Sequence, residues 1–72
     1  MYKMYIIKPI SDRYEGISMV GAETADEANQ YIKEYIANKK EFFEGYSFVT
    51  EKDSMAQSKI KGILTTGIKL RT

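Results

Sequence analysis

The chain has 72 residues and a mass of 8.3 kDa, enough for one small domain and no second core. Hydrophobic residues make up 43% and charged residues 29%, an ordinary balance for a folded chain that argues against disorder. With no cysteine, no histidine and a formal net charge of +1, disulfide frameworks, thiolate or imidazole catalysis and sulfur- or imidazole-based zinc sites are excluded.

Tyr2 to Ile7 read as a strand that alternates poorly. Met4 and Ile6 share one face and Tyr5 and Ile7 the other, so both faces carry apolar side chains. Lys3 and Lys8 interrupt the run, which lacks the apolar centre of a secretory signal. Nor does any stretch approach the ~20 apolar residues of a membrane span. The expectation is a cytoplasmic protein with no membrane partner. Pro9, Ser11, Asp12 and Gly16 mark a turn. Tyr14 to Ala22, with Ile17, Met19 and Val20, reads as a second strand, predicting an antiparallel hairpin with a longish loop.

Thr24-Ala25-Asp26-Glu27 is a capping box, in which the Thr24 hydroxyl accepts from the Glu27 amide and the Glu27 carboxylate reaches back to the Thr24 amide. Ala25, Ala28, Ile32, Tyr35 and Ile36 follow at helical spacing, and Lys39 and Lys40 stand where a helix C-terminus favours cations. The spacing predicts a helix from Ala25 to about Lys40, or as far as Phe43, ended by Gly45. Tyr31 and Tyr35, one turn apart, are expected at the edge of the core with their hydroxyls in solvent.

Tyr46 to Glu51 reads as a third strand and the polar run Lys52 to Ser58 as a loop. In the tail, Ile60, Leu64, Ile68 and Leu70 share one parity and Lys59, Lys61, Thr65, Lys69 and Arg71 the other, which predicts a long half-buried strand. A turn at Thr65-Thr66-Gly67 would make it a hairpin instead. Ala56, Ile60, Ile63 and Leu64 also fit helical spacing, with Asp53 as cap. The strand reading gives a β-β-α-β-β order: an α+β two-layer sandwich, residues 1–72 forming a single domain, with one helix packed on a mainly antiparallel four-stranded sheet.

Four strands about 4.8 Å apart make a sheet roughly 19 Å wide, whereas one helix is about 10–12 Å across. Apolar surface is therefore left over, and the spare side chains are Tyr5, Ile7, Val20, Phe42, Phe43, Val49 and Ile63. These are the candidate interface of a small non-enzymatic protein-interaction module that pairs with another protein or, as a homodimer, with a second copy of itself. The alternative rests on charge. Residues 1–51 hold six Lys/Arg against nine Asp/Glu, whereas residues 52–72 hold five against one. Lys59, Lys61, Lys69 and Arg71 on the final strand, beside aromatic neighbours, are the candidate contacts for single-stranded nucleic acid.

Other constellations carry less. Asp26 and Glu27 have helix-start roles, and Asp12 with Glu15, Glu41 with Glu44 and Glu51 with Asp53 fall in turns or element ends without the spacing of a calcium loop. Gly62 and Gly67 lack the lysine–hydroxyl pair of a phosphate-binding loop. No enzyme, cofactor or metal is expected.

Overall fold

The hairpin expected from the first two apolar runs forms the centre of the molecule. The structure is a computed structural model that describes residues 1–39 and 47–71. Along the chain the elements are β1 (Tyr2–Pro9), β2 (Tyr14–Glu15), β3 (Ser18–Ala22), α1 (Ala25–Ala37), β4 (Phe48–Ser58), β5 (Gly62–Thr66) and β6 (Lys69–Leu70). The four longer strands form one antiparallel sheet in the order β4-β1-β3-β5, and β2 pairs with β6 in a separate two-stranded ribbon. The fold is α+β, with one helix on a four-stranded antiparallel sheet whose strands follow the β-β-α-β-β order read from the sequence.

Opposed residues of an antiparallel pair point to the same side. The pairings Tyr5↔Val20, Ile7↔Ser18, Ile7↔Thr50 and Val20↔Ile63 therefore define one face. The helix lies on it, and Tyr5, Ile7, Val20, Ala22, Ala28 and Ile32 make a closed core with Tyr31, Ile36, Phe48 and Ile63 packed around it. Ser18, fully buried among these side chains, gives its hydroxyl proton to the Thr65 carbonyl at 2.9 Å, so the core holds a polar atom that is satisfied. Thr50 Oγ1 hydrogen-bonds Asn29 Oδ1 and ties the helix to the edge strand β4.

The helix starts where the capping box puts it. Thr24 is extended, and its hydroxyl accepts from the Glu27 amide at 3.2 Å. The return half of the box differs: Glu27 Oε1 accepts from the Glu23 amide at 3.3 Å, because the same carboxylate leans toward Lys61. At the other end the helix stops at Ala37 with Asn38 as its cap, three residues short of Lys40. Lys39 donates its amide to the Ile36 carbonyl at 2.9 Å and so stands beyond the last turn rather than in it. Lys40, Phe42, Phe43, Gly45 and Tyr46, to which the sequence reading gave the helix end, two apolar rings and a strand start, lie outside the described residues. Ala28 and Ile32 are buried as the spacing predicts, but Ala25 is exposed, since it precedes the turn at which the helix meets the sheet.

Lys52 to Ser58 is strand rather than loop: β4 runs on to Ser58. Its polar composition suits an edge strand, which needs only one neighbour for its backbone and exposes most of its side chains. What is loop-like is a bulge. β1 shifts from Lys3↔Gln57 to Met4↔Asp53, so residues 54–56 have no partners on it. Asp53 Oδ1 accepts from the Met55 amide at 3.0 Å and holds that bulge, leaving Met55 92% exposed at its tip.

The tail is neither one straight strand, nor a hairpin, nor a helix. β5 pairs with β3 and β6 with β2, so residues 14–22 and 62–70 form a single antiparallel ribbon broken at Gly16 and Gly67. At the break Gly16 has φ +90°, and a Cβ there would sit 2.1 Å from the Gly67 carbonyl oxygen. The bend turns the short end of the ribbon toward the helix, where Tyr14 and Ile68 pack with Tyr35 and Ile36 into a second small core. The predicted strand Tyr14–Ala22 is thus two strands, because one flat ribbon could not reach both the sheet and the far end of the helix.

Candidate association face

The same pairings define the opposite face, which carries Met4, Ile6, Lys8, Met19, Gly21, Val49, Glu51, Asp53 and Thr65. The helix and the β2/β6 ribbon share Ile36 and so lie together on the other side of the sheet. At one end the outer face is closed by the chain itself. The link from β4 to β5 crosses the sheet directly over Gly21, where a Cβ would meet the Ile60 carbonyl oxygen at 2.1 Å and the Ser58 side chain at 2.9 Å. Ser58 is buried there and stitches the crossing by accepting from the Ile60 amide at 3.0 Å and donating to the Ile60 carbonyl at 2.6 Å. Met4, opposite Gly21, is 8% exposed.

Beyond the crossing the face is open. Ile6 and Met19 stand opposite each other and are half-buried, and Val49 on β4 is 42% exposed, as is Ile17 just before β3. One ion pair, Lys8 to Glu51 at 2.9 Å, spans β1 and β4 at the margin of these side chains. Both partners are about half exposed, so the pair adds little to stability. Within the open part of the face the two charges cancel; the remaining carboxylate, Asp53, lies at the closed end opposite Met4.

The sequence-predicted interface residues divide unevenly between the faces. Tyr5, Ile7 and Val20 lie under the helix in the closed core, exposed by 5%, 0% and 0%, and offer no surface to a partner. Ile63 is half-buried against the same core. Val49 alone among the described candidates is both exposed and on the outer face, and Phe42 and Phe43 lie outside the described residues. Ile6 and Met19, which occupy the outer face instead, were not among the residues the sequence reading named as spare. Alternation could not decide between them: Lys3 shares a face with Tyr5 and Ile7, Lys8 shares one with Met4 and Ile6, and so each face of β1 carries one lysine.

The basic candidates do not line one strand. Lys59 and Lys61 precede β5, whereas Lys69 lies on β6 and Arg71 follows it, so the two pairs sit at opposite ends of β5. Lys61 meets Glu27 at 3.2 Å and stands 5.9 Å from the centre of the Tyr2 ring. The Glu27 carboxylate, which accepts a hydrogen bond from it, holds the Lys61 ammonium above the usual lysine range. Lys69 meets Glu15 at 3.6 Å. Half of the proposed phosphate contacts are therefore already engaged by carboxylates.

Among the described residues no group of three or more acidic, histidine or cysteine side chains could hold a metal ion. Among them, too, no helix is long and apolar enough to cross a membrane. Comparison with known protein families, with curated proteins and with solved structures finds no match.

Proposed function

We propose that this chain is a small, non-enzymatic, cytoplasmic protein-association module that pairs with a second copy of itself through the sheet face turned away from the helix. The observation that carries this reading is the apolar patch on the sheet face turned away from the helix, where Ile6 and Met19 are half-buried and Val49 is 42% exposed, with Ile17, also 42% exposed, just before β3. Met19 adds adaptability, because a flexible thioether fits irregular apolar surfaces. The sheet is about 19 Å wide and its regular part about 20 Å long, which, with one end closed by the crossing, leaves less than roughly 400 Å² of face per copy. A contact of that size belongs to the weak or transient class. The module should therefore associate at tens of micromolar rather than form an obligate dimer.

Sedimentation equilibrium over a concentration series tests the reading. A mass that rises toward twice 8.3 kDa is the expected result. A mass that stays at 8.3 kDa up to hundreds of micromolar overturns it. Nucleic-acid binding through Lys59, Lys61, Lys69 and Arg71 has less support, since two of the four are paired with Glu27 and Glu15. Retention of a labelled oligonucleotide at low salt would reverse that order.

A further inference from the structure

The proposed association leaves open how two identical faces meet, and the Lys8–Glu51 pair supplies a geometry. Resting on that reading, we infer that the two copies are related by a two-fold axis that sets Lys8 of each against Glu51 of the other. Charge complementarity carries the inference. Lys8 stands beside Val49 and Glu51 beside Ile6 on neighbouring strands of the outer face, with their charged atoms 2.9 Å apart and both side chains reaching solvent. Asp53 lies on the same face at its closed end, opposite Met4, so the open part carries one positive and one negative charge, Lys8 and Glu51. Such a patch is complementary to itself only if the axis exchanges the two positions; any axis through either charge sets like against like.

The direction of the axis follows from sheet spacing. Strands about 4.8 Å apart and alternate residues about 6.8 Å apart place the Lys8–Glu51 diagonal about 35° from the strand direction. A two-fold axis perpendicular to that diagonal in the plane of the interface runs between Ile6 and Val49, close to both. It crosses the strands of the two sheets at about 70°, nearer the orthogonal class of sheet packing than the aligned one. Ile6 and Val49 of the two copies then meet at the axis, and each ion pair, now shared between chains, borders the apolar centre.

The experiment is a charge exchange. Lys8→Glu and Glu51→Lys are each expected to weaken self-association by at least about tenfold, because each sets like charges together. An equimolar mixture of the two variants should associate at least as well as the parent, and the Lys8→Glu/Glu51→Lys double variant should recover self-association. Lys33→Glu and Glu34→Lys, on the exposed side of the helix, change the net charge equally and serve as the control; alone or mixed they should behave like the parent. Circular dichroism melts establish that each variant is folded. If the parent associates but the Lys8 and Glu51 variants do so equally well, or their mixture shows no recovery, this geometry is overturned while the association reading stands. A parent that is monomeric throughout overturns both.

Discussion

The two faces of the sheet are built from alternate residues of the same strands, yet they solve different problems. The inner face uses Ile7, Val20 and Ala22, stiff or small side chains that fit tightly under a helix, and its buried Ser18 hydroxyl donates to a carbonyl. The outer face uses Ile6 and Met19 beside a solvent-facing ion pair and leaves them half-covered. Apolar content alone does not tell these faces apart. What separates them is whether each side chain has neighbours on every side, which is a property of the packed molecule.

Substitutions should divide the faces accordingly. The largest effect is expected inside: Ile7→Ala and Ile32→Ala each leave a void in the closed core and should cost roughly 2–5 kcal/mol in denaturant unfolding. A melt like the parent's for either would break the assignment of the inner face. Next comes the crossing that closes one end of the outer face. Gly21→Ala forces a methyl against the Ile60 carbonyl and Ser58, two groups with little freedom to move, and should cost about 3 kcal/mol. Thr24→Ala, which removes a cap from the helix that defines the inner face, should cost about 1 kcal/mol.

Ile6→Ala sharpens the comparison because its two readouts diverge. Unfolding stability measured at low concentration should fall by under about 1.5 kcal/mol, while the concentration needed for self-association should rise markedly. Equal sensitivity of Ile6 and Ile7 in the monomer would mean that the faces are alike. The smallest effect concerns pH. The Lys61 pKa is raised by Glu27, so the stabilisation from this pair is complete below the unfolded lysine value of about 10.4 and disappears as pH rises through the folded value. The ammonium is open to solvent, so the loss should be slight and visible only above about pH 10 as a difference between the parent and Lys61→Gln.

Much of the architecture was legible in the residues. Thr24 and Glu27 marked the helix start within one residue, and the apolar run of β1 followed by turn residues marked the central hairpin. Polar composition hid the second half of β4, because an edge strand needs only backbone pairing with β1 and its side chains report little. Two glycines hid the bend of the ribbon. Gly16 and Gly67 read as ordinary punctuation, and only their mutual approach across two strands shows that they fold it toward the helix. The candidate interface was legible as a surplus of apolar side chains but not as a set, since the period of a strand states which residues share a face and not which face is covered.

The local terms were thus determined by the sequence alone: strand and helix propensities, the helix cap, and the excess of apolar residues over what one helix can shield. These depend on neighbours a few positions apart. Tertiary structure decided the rest. Strand order set β4 and β5 at opposite edges and sent their connection across Gly21, and the helix settled on the Tyr5, Ile7 and Val20 side rather than the Ile6 and Met19 side. That choice depends on contacts between residues far apart in the chain, whose free energy is the sum of many small fits, and no single residue announces it.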